Sequence, residues 1–136
     1  MELFDLSIVT PEKVFLEAKA KSIVIPGSEG YLGVLPHHAP LITALKPGRL
    51  EFTDVDDKTH VLAVSAGFLE VSRNHVNLLV EAVEYADDID LQRAELAYKT
   101  AKEKLTTEGS EIDVQAEEAA MARAANRMKI YRETHK

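Results

Sequence analysis

The side chains whose types and spacing could do chemistry are few. Arg123 and Arg127 stand four residues apart in a stretch of helical periodicity, so they share a face. Arg93 lies near the start of the preceding helical stretch, which an antiparallel hairpin brings beside the end of the second. Guanidinium forks grip phosphates. The three arginines therefore point to an anion site, with Asp90 available to a hydroxyl or an amine. The same charges also read as helix-end electrostatics. Glu117 and Glu118 come early in the second helix, and Arg123, Arg127, Lys129, Arg132 and Lys136 come late. That complementation contributes about a few tenths of a kcal/mol per charge. His37-His38 invites a metal, but adjacent side chains rarely point the same way. Between Pro36 and Pro40 they read as loop residues. Asp54-Val55-Asp56 and Asp88-Ile89-Asp90 lack the rest of a calcium loop and read as a turn and a helix cap. Neither a dinucleotide fingerprint nor a P-loop occurs, and no Ser-His-Asp pattern stands out. The sequence demands no catalytic residue and no metal.

Composition narrows the classes. The chain has 136 residues, 46% hydrophobic and 29% charged, which suits one domain or a domain with an appendage and is not a disordered composition. The absence of cysteine excludes disulfides, zinc-thiolate sites, iron–sulfur clusters and thiol nucleophiles. A net charge of −7 argues against a nucleic-acid partner. No apolar run approaches the roughly 18 residues of a membrane helix. The opening Met-Glu-Leu-Phe-Asp has no positive region of the kind that starts a signal peptide. The expectation is a soluble, cytoplasmic protein.

The elements that must position these residues change character near Ala86. All five prolines, Pro11 to Pro47, and five of the six glycines precede it. So do most of the Val, Ile and Thr residues, which favour strands. Short apolar runs at 3–9, 14–18, 22–25, 49–53, 59–64, 67–71 and 75–80, separated by turn residues, predict a sandwich or barrel. From Asp87 the period changes. Leu91, Ala94, Tyr98, Ala101 and Leu105 make one helical face after aspartates that can cap it. Thr106 to Glu111 is the break. A second helix runs from about Asp113 to Arg132, with Val114, Met121, Ala125, Met128 and Arg132 on one side, beside Ala116, Ala119, Ala120 and Ala124. The short connection makes an antiparallel hairpin. An alanine methyl contributes only about 0.8 kcal/mol when buried, against about 1–2 kcal/mol per residue of backbone ordering. The hairpin is therefore expected to be the weaker unit, able to undock; a static hairpin is the alternative.

One run is specific. Ile25-Pro26-Gly27-Ser28-Glu29-Gly30-Tyr31-Leu32-Gly33-Val34-Leu35-Pro36-His37-His38-Ala39-Pro40-Leu41 resembles the pattern G-x-[FY]-x-G-[IV]-L-P-x-H-A-P-L of the ε subunit of F-type ATP synthases. Ser65-Ala66-Gly67-Phe68-Leu69-Glu70-Val71 resembles that family's second block, and the resemblance covers essentially the whole chain. It implies a ten-stranded β-sandwich over residues 1–86 and a regulatory helical hairpin over 87–136. It implies a non-catalytic subunit of the rotor's central stalk, whose sandwich packs on the γ subunit and the c-ring. That subunit couples proton flow to ATP synthesis. An extended hairpin, its basic end facing the catalytic α/β subunits, inhibits ATP hydrolysis. The implied location is peripheral, on the cytoplasmic face of a bacterial cell membrane rather than a plastid thylakoid.

Some bacterial members bind ATP as a regulatory ligand through [IL]-D-x-x-R-A. The motif stands here as Ile89-Asp90-Leu91-Gln92-Arg93-Ala94. The family's glutamate six residues before the aspartate corresponds to Glu84, and its two arginines on the second helix to Arg123 and Arg127. A further basic position of the family is Thr100 here, which weakens the implied site. No cofactor is required. The reading from another class is a free-standing nucleotide-sensing module; a free sensor would not need the Gly27–Leu41 loop.

Overall fold

The computed structural model describes residues 2–107 and 112–136. The chain forms two compact units, Met1–Tyr85 and Ala86–Lys136. Among the described residues the first holds nine strands: β1 Phe4–Val9, β2 Val14–Gly27, β3 Gly30–Val34, β4 Leu41–Leu45, β5 Gly48–Asp54, β6 Thr59–Val64, β7 Gly67–Ser72, β8 His75–Val80 and β9 Val83–Tyr85. Their order is β1-β8-β7-β4-β2-β5-β6-β9, with β3 beside β2 and an extra β1–β2 pairing. Every pairing is antiparallel except β1 with β8.

The count is nine rather than ten because β2 serves both layers of the sandwich. Its first half pairs with β1, from Val14 opposite Val9 to Ala20 opposite Phe4. Its second half pairs with β5 and β3. The register slips between Ala20 and Ser22, where the strand passes from one layer to the other. The two runs expected at 14–18 and 22–25 are thus one strand. Lys19-Ala20-Lys21 continues the alternation, with Ala20 fully buried. Three strands went unforeseen. β3 and β4 lie in a segment rich in Gly and Pro, and β9 has only three residues.

The core follows from period-2 alternation. Phe4, Leu6 and Ile8 of β1, Leu50 and Phe52 of β5, Leu69 and Val71 of β7, and Val76, Leu78 and Val80 of β8 join one buried cluster. Gly67 permits a close approach: a Cβ there would lie 2.1 Å from the Leu79 carbonyl oxygen. The His37-His38 loop is held by Asn74, whose Oδ1 accepts the His37 N–H at 2.8 Å while its Nδ2 donates to the Leu3 carbonyl at 2.8 Å. His37 itself has φ 65°. Among the described residues no group of three or more His, Cys, Asp or Glu could hold a metal ion.

The second unit, in its described residues, holds a 3-10 turn at Ala86–Asp88, then α1 Leu91–Thr106 and α2 Val114–Thr134. Most of the break expected at 106–111 lies outside the described residues. Asp90 caps α1, accepting the Arg93 N–H, and Asp113 caps α2, accepting the Ala116 N–H, both at 3.1 Å. No helix among the described residues is long and apolar enough to cross a membrane.

Candidate functional site

The helical unit sets the arginines by register and phase. At one end His135 Nε2 lies 3.7 Å from Asp87 Oδ1, and at the other Lys104 Nζ lies 3.6 Å from Glu117 Oε1. These pairs fix two antiparallel helices in a register that puts Arg93 level with Arg127 to Lys129. On α1 the expected face is the packed one: Ala94 and Ala101 are buried, and Leu91, Tyr98 and Leu105 are half-buried. On α2 the packed stripe is rotated from the expected one. It runs through Ala120, Met121, Ala124, Met128 and Tyr131, with Ala124 fully buried, while Val114, Ala125 and Arg132 are exposed. The small side chain of Ala124 fits where the stripe is fully buried, and Arg132 keeps its charge in water.

Phase then separates two edges of the hairpin. At about 100° per residue, Arg93 leaves α1 on one side of Ala94, and Arg123 and Arg127 leave α2 on the same side of Ala124. The other side carries Tyr98, Ala125, Met128, Lys129 and Arg132, which line a groove of about 540 Å³. That Tyr98 shares this groove with Ala125 and Met128 checks the phase independently. Arg123 and Arg127 are half-buried, and Arg93 is exposed. By this phase the three arginines leave the two helices on one edge. Ile89, Asp90 and Ala94 stand at the start of α1. Ile89 and Ala94 are buried at 5% and 1% exposure, and Asp90 spends an oxygen on the α1 cap. Glu84 belongs to the first unit, half-buried on β9 opposite Ala63.

The sandwich carries a second candidate surface. Register aligns Val14, Val9, Leu79, Phe68 and Ala44 in one row across β2, β1, β8, β7 and β4. All five side chains point away from the core. Phe68 is 60% exposed, Leu79 57%, and Ile42, two residues along β4, 74%. An apolar row of this length on an outer sheet face marks an interaction surface. Sequence reasoning missed it. The available signal was an apolar residue out of phase with the core: Phe68 beside Leu69, and Leu79 beside Leu78 and Val80.

Two carboxylates of the sandwich are tuned by their neighbours. Asp54 is held below the ordinary carboxylate range, first by its 2.8 Å hydrogen bond with His60 Nε2 and then by the N–H groups of Lys58 and Asp56. Asp5 is lowered chiefly by the hydrogen bond from Lys19 Nζ at 2.5 Å. Both pairings fix strand and hairpin geometry rather than a reaction centre.

Residues 3–86 match the family model of the ATP synthase Delta/Epsilon chain β-sandwich domain, and residues 87–132 that of its long α-helix domain. The ATP synthase epsilon chain of Desulforamulus reducens is 46% identical over 91% of this chain and 93% of its own. That of Moorella thermoacetica is 41% identical over 95% of this chain and 96% of its own. Among solved structures, a chain of the Euglena gracilis mitochondrial ATP synthase, OSCP/F1/c-ring, superposes with TM-score 0.71 at 21% identity, covering 99% of this chain and 81% of that one. At that identity the likeness speaks to the fold. Two family models that together span nearly the whole chain, and bacterial relatives above 40% identity, place it plainly: this chain belongs to the ATP synthase Delta/Epsilon family, as an epsilon chain.

Proposed function

We propose that this epsilon chain is a non-catalytic coupling and regulatory subunit of the central stalk of an F-type ATP synthase. The sandwich docks on the γ subunit and the c-ring, so that proton flow is coupled to ATP synthesis done elsewhere. The complex holds it peripherally at the cytoplasmic face of a bacterial membrane. The hairpin restrains ATP hydrolysis when extended toward the catalytic α/β subunits, and ATP holds it compact. The observation that carries the docking reading is the outward row through Leu79 and Phe68. A free-standing nucleotide sensor has no use for such a row. Phe68→Ser with Leu79→Ser should leave the fold intact and weaken assembly with γ by about tenfold or more, since buried aromatic anchors dominate interfaces. Undiminished assembly in a pull-down with γ would refute it.

The arginine edge supports ATP as the regulatory ligand. Arg93, Arg123 and Arg127 would neutralise the phosphates; Asp90 and Glu84 are the family's remaining polar positions. A ligand that binds only the compact form stabilises it by about 2.7 kcal/mol at a hundredfold excess over Kd. Deleting residues 88–136 should therefore raise ATP hydrolysis by the assembled complex and leave synthesis largely intact. Equal hydrolysis with and without the hairpin, in a complex otherwise inhibited, would count against the regulatory half.

A further inference from the structure

The register that lines up the apolar row rules the same outward face into further rows. Two residues along the strands from Val9, Leu79, Phe68 and Ala44 come Ser7, Asn77, Glu70 and Ile42, with Glu17 of β2 opposite Ser7. Two residues further stands Asp5, with Lys19 on one side and His75 on the other. Across the apolar row, Glu81 continues the pairing of β8 with β7 by donating its N–H to the Ala66 carbonyl at 3.1 Å. Lys46 follows Leu45 at the same level on β4.

Charge is balanced in two of these rows and not in the third. Lys19 engages Asp5 at 2.5 Å, and His75 lies 3.5 Å from the same carboxylate. Glu81 and Lys46 offset each other in sign. The row between holds Glu17 and Glu70 and no cation, and among the described residues neither carboxylate has an ion-pair partner. Both are exposed, with Ser7 and Asn77 half-buried between them. A groove of about 470 Å³ opens beside Glu17, lined in part by Ser7, Lys19, His75 and Asn77. Three strand spacings separate the two carboxylates, about 14 Å. The apolar row lies two residues away, about 7 Å along the strands.

A partner that covers the apolar row therefore also takes water from Glu17 and Glu70. That loss is recovered only where cations meet them. We infer that Glu17 and Glu70 set the specificity of the docking face. They admit a partner whose apolar ridge meets Val9, Leu79 and Phe68, and whose lysine or arginine side chains, about 14 Å apart beside that ridge, meet the two carboxylates. A surface that is acidic or uncharged at those two points is rejected, because it leaves both carboxylates desolvated and unpaired. Ile42, 74% exposed at the end of the row, calls for an apolar contact beyond the second cation. This rests on the docking reading above and adds to it the charge pattern that γ must present.

The test measures association and dissociation rates of the full chain with purified γ subunit at two salt concentrations. Exposed side chains without partners are replaceable at little cost to the fold. Glu17→Gln with Glu70→Gln should slow association by about three- to tenfold at about 0.01 M salt, where charges are felt over about 30 Å, and should change dissociation less. At about 1 M salt, where that range is about 3 Å, parent and variant should associate alike. Glu95→Gln with Glu118→Gln removes the same net charge from the hairpin and should leave the rate within about twofold of the parent. Equal slowing by that control would overturn the inference, since net charge rather than position would then be at work. So would an unchanged rate for the Glu17 and Glu70 variant while Phe68→Ser with Leu79→Ser weakens binding. Undiminished binding by the serine pair would instead refute the docking reading, and this inference with it.

Discussion

The two units bury very different material. The sandwich closes over Phe4, Leu6, Ile8, Ile23, Ile25, Leu50, Leu62, Leu69 and Leu78, all 2% exposed or less. Among the described residues, the fully buried positions of the helical unit are Ala86, Ile89, Ala94, Ala101, Ala124 and Ile130. A leucine or phenylalanine contributes about 1.5–3 kcal/mol on burial and an alanine methyl about 0.8. Ordering costs about the same per residue in both units. One unit is therefore a rigid platform and the other a pair of helices that little apolar area holds closed. An element of low local stability can be shifted by the few kcal/mol a ligand supplies, and the regulatory role proposed for the hairpin rests on that.

The largest effect that would break this comparison is all-or-none. Residues 1–86 alone should unfold cooperatively in urea, since every sandwich strand and its buried cluster lie within them. Residues 87–136 alone should show partial helicity and a broad, shallow transition. A molten sandwich fragment or a cooperative hairpin fragment would reverse the assignment of platform and mover.

A point substitution sharpens the same contrast. Leu50 is fully buried in β5, so Leu50→Ala should cost about 2–5 kcal/mol of sandwich stability. Ala124→Gly, at a fully buried position of α2, should cost about 1 kcal/mol, chiefly as helix propensity, and should leave the sandwich transition in place. Urea midpoints of the sandwich, read beside far-ultraviolet helicity, separate the two. Equal losses from the two substitutions would mean that the units do not differ in how they are held.

The sequence disclosed these units unevenly, for physical reasons. Alternation exposed β1, β5, β7 and β8 because each has one buried face, and a continuous apolar run, Val61 to Val64, exposed β6. It hid the continuity of β2, whose buried positions change phase at the register slip between Ala20 and Ser22, from Ala20 to Ile23 and Ile25. It hid β3 and β4, where pairing geometry rather than propensity decides. The helix starts were legible, but which of Asp87, Asp88 and Asp90 caps α1 depends on the 3-10 turn that occupies the first two. The face of α2 was misjudged because an alanine-rich helix has no dominant apolar side, so packing picks the stripe. Glu84 came only from family resemblance, since nothing in its own neighbourhood distinguishes it.

The smallest expected effect concerns how the platform's turns are fastened. At the β5–β6 turn the Asp54 carboxylate accepts the Asp56 N–H at 2.8 Å and the Lys58 N–H at 3.0 Å, and bonds His60 Nε2 at 2.8 Å. His60 stacks on Phe52 with ring centroids 4.7 Å apart, which fixes its orientation toward the carboxylate. Because these partners favour the ionised form, the pKa of Asp54 is lower folded than unfolded, against the opposing pull of desolvation. A group lowered in this way contributes stability above its unfolded value, about 3.9, and loses it as the pH falls through the lowered folded value. Asp54→Asn keeps an oxygen for the two turn N–H groups but removes the charge. The variant should be slightly less stable at neutral pH, and its stability should fall less steeply below about pH 4 than that of the parent. Urea midpoints of residues 1–86 at pH 7, 5, 4 and 3 would show the two curves converging toward the acid end. Curves that stay parallel would mean that the carboxylate is held by the turn alone, with no net preference for its charged form.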